Sequence, residues 1–276
     1  MRNIYLIAAK EIQESLRNRW VLLMTVVLAA LALSLTFLGS APVGTVGART
    51  LDVVIVSLSS LTIFLVPLLA LLISHDAIVG ETERGTMLLL LSYPVSRGQV
   101  LLGKFAGHLA ILAFATVLGY GTAAVTLAAT GAAISTQSWM AFASMIGTSI
   151  LLGAAFIAIG YLVSVLVRER ATAAGVAIGI WLLLVIVFDM ALLGVLVVDQ
   201  GRLISSTALS GLLLLNPTDV YRLLNLAGAT NVSSFSGMSG LAGTVALSPA
   251  LLLCALAAWT LVPLAFAAMI FSRREL

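Results

Sequence analysis

HDAIVGETERGTMLLLLSYPVSRGQVLLGKF, residues 75–105, decides how the chain is read. It sets a charged turn between two long apolar runs. Asp76, Glu81, Glu83 and Arg84 fall within about two and a half helical turns. Gly85 then interrupts, and Thr86 can cap a new helix over Met87, Leu88, Leu89, Leu90 and Leu91. That apolar run is far shorter than the ~20 residues a bilayer crossing needs. Pro94 stops it, and Ser96-Arg97-Gly98 turns the chain back. Two short helices, one acidic and one apolar, are therefore displayed at one membrane face. The apolar one can lie on lipid, pack on its own bundle, or dock into a groove on a soluble partner.

The end of the stretch, GQVLLGKF, imitates a nucleotide-binding loop. Gly98, Gly103 and Lys104 fit G-x-x-x-x-G-K. A phosphate loop follows a strand and puts Ser or Thr after the lysine to hold magnesium. Here Phe105 follows and an apolar helix begins. Lys104 fits a cytoplasmic snorkelling anchor instead, and no ATP site is expected on this chain.

Outward from this turn, composition sets the class. The 276 residues are 61% hydrophobic and 9% charged, with a mean hydropathy of +1.17. Soluble domains carry about 25% charged residues. Apolar runs at 20–39, 53–75, 100–130, 140–167, 171–198 and 249–271 can each cross ~30 Å of hydrocarbon as helices. The expected fold is an all-α polytopic membrane protein, one transmembrane domain over 1–276 with six transmembrane helices.

Charge placement orients it. Arg2, Lys10, Arg17, Arg19, Arg84, Arg97, Lys104, Arg168, Arg170, Arg273 and Arg274 share one side, against Arg49, Arg202 and Arg222 on the other. By the positive-inside rule both termini are cytoplasmic. The net charge of +3 calls for no nucleic-acid partner. Residues 1–19 read as an amphipathic interfacial helix with a stripe of Ile4, Tyr5, Ala8, Ile12 and Leu16. They are not a cleavable signal, because the charged region is long and the apolar run exceeds a signal core. Gly39-Ser40-Ala41 resembles a cleavage site only by its small residues.

Residues 199–248 form the one long connection on the outer side. Asn216 can cap a helix with Pro217 at its first position, Asp219 suits the first turn, and Arg222 can pair with Asp219. Residues 203–227 thus read as a helical hairpin dipping into the outer leaflet. Residues 228–247 read as an exposed loop, where Asn231-Val232-Ser233 is a glycosylation sequon by spelling only. Asp189 stands deep in the fifth span, where a charge costs about 2.5–3.5 kcal/mol on insertion scales. It must be protonated, paired or facing a polar cavity, with a role in packing or in conformational change. Gly103–Gly107 and Gly175–Gly179 are weak close-packing signals among 23 glycines.

The chain resembles ABC-2-type permeases. The likeness is carried by GETERGTMLLLLSYPVSRGQVLLGKF and extends over nearly its whole length. Within that family it is most similar to permeases of transporters that mature nitrous oxide reductase. NPTDVYRLLNL, residues 216–226, and Phe188-Asp189-Met190 carry that narrower match. The resemblance implies a homodimer in the bacterial inner membrane with two cytoplasmic ABC ATPase subunits that hold ATP and magnesium. It implies a coupling helix between spans two and three, within 76–99. Glu81, Glu83, Arg84, Thr86, Met87, Leu88, Leu89, Leu90, Leu91 and Arg97 fall on that segment. It also implies a periplasmic copper-handling partner, for which Asn216, Asp219, Tyr221 and Arg222 either shape the hairpin or supply contacts.

The chemistry supports no metal path. There is one cysteine, Cys254, read as a packing residue, and His75 and His108 are separated. The eight methionines form no ladder of soft ligands. Transmission of motion is favoured over a copper pore. An intramembrane enzyme lacks its motif, with no H-E-x-x-H present. The remaining alternatives are an exporter of another substrate and a secondary transporter, hinted at by Asp189 and Pro263 but without an inverted repeat.

Overall fold

A computed structural model describes residues 2–17, 19–39, 50–129, 135–199, 206–226 and 247–274. Among these every regular element is helical. Helix α1 (Arg2–Leu16) is followed by α2 (Arg19–Gly39), α3 (Thr50–Ser74) and the short α4 (Val79–Glu83) and α5 (Thr86–Leu91). Then come α6 (Arg97–Ala129), α7 (Thr136–Leu166) and α8 (Arg170–Leu182). A π-helical turn, Leu183–Val187, joins α8 to α9 (Phe188–Asp199). A hairpin of α10 (Ser206–Leu214) and α11 (Pro217–Leu226) precedes α12 (Pro249–Arg273). The loop expected over 228–247, including Asn231-Val232-Ser233, and the pair Ser40-Ala41 lie outside the described residues, Leu247 excepted.

Five stretches are long and apolar enough to cross a bilayer: Val54–Glu83, Arg97–Ala129, Thr136–Leu166, Arg170–Val198 and Pro249–Arg273. The bent pair Arg2–Leu16 and Val21–Phe37, if counted as one span, brings the number to six. The pair turns by 69°, with the charged residues on α1 and the apolar run on α2. The all-helical polytopic reading therefore holds, with five to six spans by length and composition.

Helix α7 is the hub, because glycines leave its sides open. A Cβ on Gly160 would fall 1.9 Å from Ser74 Oγ of α3, and one on Gly153 would fall 2.1 Å from Leu112 Cδ2 of α6. Small residues let helices approach where lipid gives no hydrophobic drive. Phe156 and Tyr161 are fully enclosed there. By contrast the stretch Arg170–Val198 is mostly exposed, with Ala173, Ala177, Val185 and Leu192 its buried residues, so it lies at the rim. Cys254 is exposed on α12 rather than packed inside, which corrects its sequence reading.

Basic residues tie helix ends together at one end of the bundle. Arg97, entering α6, donates to the carbonyls of Phe271 at 2.9 Å and Ser272 at 3.3 Å, and to that of Arg274. Arg274 donates to the Val165 and Val167 carbonyls at 2.9 and 3.0 Å. Cations complete the carbonyls that a helix C-terminus leaves unpaired. The same end carries α1, α4 and α5.

Candidate functional site

Seen from its side chains, the basic end is built around Lys104. Its ammonium is 2.5 Å from Glu11 Oε1 and 2.8 Å from Glu81 Oε1, and the lysine is 3% exposed. Glu11 Oε2 is 3.5 Å from His108 Nε2, and His108 Nδ1 is 2.9 Å from the Tyr161 hydroxyl. One chain of polar contacts thus joins α1, α4, α6 and α7. Burial alone would raise the Glu11 carboxyl. The His108 hydrogen bond and the Lys104 charge outweigh it and hold it down to about 2. Lys104 is therefore no snorkelling anchor: two carboxylates hold it in the interior.

The seat for α1 is cut by Gly103 and Gly107. A Cβ on Gly103 would fall 2.8 Å from Ile7 Cβ, and one on Gly107 would fall 2.6 Å from Glu11 Cβ. The buried side of α1 carries Ile7 and Glu11, while Tyr5 and Leu16 are exposed. The stripe read from the sequence therefore does not mark the docked face, which includes a charge satisfied by a distant lysine.

The start of α4 is tied to the hub as well. Ser164 Oγ of α7 accepts from the amides of Ile78 at 3.0 Å and Val79 at 3.1 Å. These are donors that a helix start leaves without internal partners. Glu83 Oε1 accepts from the Arg170 amide at 2.8 Å, and Arg170 pairs with Asp76 at 2.7 Å. The helix ends at Gly85, whose φ of 71° falls in the left-handed region that favours glycine. Gly85, not Thr86, occupies the cap of α5, and the Thr86 hydroxyl donates back to the Glu81 carbonyl at 3.2 Å.

The expected coupling residues therefore divide. Glu81 and Met87 face inward. Arg97 is turned to the end of α12. Leu90 and Leu91 are half-buried against the core. Leu88 and Leu89 stand out at 58% and 68% exposed, flanked by exposed Glu83, Arg84 and Thr86.

A second polar centre lies where the α10–α11 hairpin meets the fifth long helix. Asn216 Oδ1 accepts from the Thr218 amide at 3.2 Å and so caps α11. Its Nδ2 donates to the Leu184 carbonyl at 2.8 Å and to Asp219 Oδ2 at 3.0 Å. Leu184 belongs to the π-turn, whose wide winding displaces carbonyls from the α-helical ladder. Arg222 bonds Asp219 Oδ1 at 2.5 Å and also pairs with Asp189 Oδ2. Asp189 thus finds its partner within its own chain. Burial, the largest influence, pushes the Asp219 carboxyl up to about 7, while Arg222 pulls it down. The Tyr221 hydroxyl meets Ser149 Oγ at 3.0 Å, and Asn225 donates to Thr148 Oγ1 at 3.0 Å, fixing α11 to α7. Trp259 of α12 donates to the Leu214 carbonyl at 3.1 Å. Asn216, Asp219 and Tyr221 are fully buried and Arg222 is doubly paired. All four build the hairpin, and Arg222 alone of them keeps a partly exposed side chain, at 15%.

A family model described as ABC-2 family transporter protein matches residues 5–276. The chain belongs to the ABC-2 transporter family. Over 274 residues it is 45% identical to a probable ABC transporter permease protein NosY of Pseudomonas aeruginosa, covering 99% of each chain. A protein of the same description from Stutzerimonas stutzeri is 45% identical over 276 residues, again with 99% of each chain covered. In this ABC-2 chain the residues that sequence reasoning passed over are Glu11, His108 and Tyr161, with Lys104 assigned another role. The one available signal was the charge itself: Glu11 interrupts an apolar helix face, and His108 lies one turn beyond Lys104 in an apolar run. Among the described residues no three His, Cys, Asp or Glu side chains converge on a metal position.

Proposed function

We propose that the chain is the membrane permease subunit of an ABC transporter. In this reading a cytoplasmic ATPase, holding ATP and magnesium, drives a conformational change across the membrane. Both termini lie on the cytoplasmic side, and a second copy of the chain completes the pathway. One observation carries the assignment: on α5, Met87 is buried while Leu88 and Leu89 stand exposed beside charged neighbours. An apolar knob on a short helix anchored from behind suits a groove on a soluble partner, and the rim charges fix register. The membership in the ABC-2 family supports an ATPase as that partner. Changing Leu88 and Leu89 together to Ser is expected to leave the chain inserted and folded. Capture of the co-expressed ATPase should fall at least tenfold. Undiminished capture would remove α5 as the docking helix.

On the outer side, the likeness to NosY proteins supports a role in maturing nitrous oxide reductase through a periplasmic copper-handling partner. The α10–α11 hairpin, bound to α7, the π-turn and α12, is suited to pass motion outward as a unit. Transmission of motion is preferred to a copper pore because soft ligands are few and scattered. Copper flux into vesicles holding only this chain and its ATPase would overturn that preference.

A further inference from the structure

Glu11 and Glu81 share the Lys104 ammonium unequally. Glu11 meets Lys104 through one oxygen and His108 through the other. Glu81 meets Lys104 through Oε1 alone, and its Oε2 is buried without a hydrogen-bond partner. A buried carboxylate oxygen without a partner forfeits part of what its burial costs. The backbones differ in the same sense. Helix α1 is seated against Gly103 and Gly107 on α6. Helix α4 has five residues, lies next to the left-handed Gly85, and continues into α5 with its exposed leucines. A load applied at Leu88 and Leu89 therefore reaches Lys104, and with it α1 and α6, through Glu81, the less satisfied of the two carboxylates, while Ser164 of α7 holds the start of the same segment.

We infer that Glu81 is a positioning residue whose contact with Lys104 is the movable joint between the α4–α5 segment and a fixed unit of α1 and α6. This rests on the permease reading above and adds the internal residue through which the load passes. Withdrawal of Glu81 leaves Lys104 still paired with Glu11, so the joint can open without stranding the buried ammonium. Withdrawal of Lys104 has no such fallback, because it leaves both buried carboxylates without their shared cation. Glu81 is therefore expected to matter for transmission and little for stability, the reverse of Lys104.

The test uses the assembled transporter in lipid nanodiscs, with a fluorophore on Leu215→Cys in a Cys254→Ser background. Leu215, at the turn of the hairpin, is 60% exposed. For Glu81→Gln the expected result is normal capture of the ATPase, ATP turnover within about twofold of the parent, and a thermal midpoint within a few degrees of it. The ATP-driven fluorescence change at the hairpin should fall at least fivefold. A full fluorescence response would overturn the inference, as would a midpoint lowered as far as in Lys104→Met. If no ATPase is captured by the unsubstituted chain, the permease reading itself fails. That outcome is separate from an assembled complex in which Glu81→Gln transmits normally.

Discussion

The Glu11 carboxylate and the Lys104 ammonium lie 2.5 Å apart in the interior, although 93 residues separate them in sequence. Removing one member of a buried pair strands the other charge, which costs about 3–5 kcal/mol. Lys104→Met leaves two buried carboxylates and is expected to lose stability on that scale. Glu11→Gln strands only the share of the ammonium that Glu81 does not hold, so it should cost less. Thermal melting in detergent, followed by size-exclusion chromatography, would order the two. Equal melting of both variants and the parent would show the pair to be inert.

The depressed Glu11 carboxyl makes this contribution pH-dependent. It titrates at about 2 in the folded chain against 4.5 for an ordinary glutamate. The folded state then binds fewer protons than the unfolded state between those values, so stability rises with pH there. The contribution is complete above about pH 4.5 and is lost as the pH falls towards 2. The stability difference between the parent and Glu11→Gln should accordingly be constant near neutrality and shrink below pH 4.5. A difference that does not change down to pH 2 would refute the assignment.

The glycine seat predicts a contrast between two similar spacings. Gly107→Ala places a Cβ 2.6 Å from Glu11 Cβ, and Gly103→Ala places one 2.8 Å from Ile7 Cβ, so α1 must shift. Overpacking of this kind costs about 1–3 kcal/mol. Gly175→Ala and Gly179→Ala meet nothing within 4 Å in the chain and should leave its own packing unchanged. Protease cleavage within α1 of the solubilised chain would separate the pairs. Cleavage should accelerate only for Gly103→Ala and Gly107→Ala.

What the sequence made legible follows the range of the forces involved. The apolar runs and the turn at Gly85 are local, so the helices and their breaks could be read directly. The capped start of α11 and the Asp219–Arg222 pair, three residues apart, were legible for the same reason. The docked face of α1 was not, because Glu11 looks solvent-bound until Lys104 is brought to it from α6. The π-turn at Leu183–Val187 carries neither Pro nor Gly, so nothing local announces it. Its sign is non-local: the Leu184 carbonyl accepts from Asn216, 32 residues away. Asp189 was recognised as needing a partner, but Arg222 lies 33 residues on, beyond any spacing rule.

Arg222 holds two carboxylates, and the two should respond differently to substitution. Burial already pushes Asp219 up to about 7, so near neutrality it carries a proton much of the time. Asp219→Asn replaces that acid by a neutral group of similar shape and is expected to cost under about 1 kcal/mol, within the range of a single ordinary hydrogen bond. Asp189→Asn removes the charge that balances the guanidinium from the fifth helix and should cost more. Arg222→Met is expected to be the most damaging, at about 3–5 kcal/mol, because both acids lose their partner in the interior. Melting of the three variants at pH 7 should give that order. Asp219→Asn should also gain on the parent as the pH rises from about 3.8 towards 7, with the difference levelling off above 7, because the unsubstituted acid is ionised in the unfolded chain over that window while burial opposes its ionisation in the folded one. An Asp219→Asn variant as unstable as Arg222→Met would mean that Asp219, not Asp189, is the permanent counter-ion.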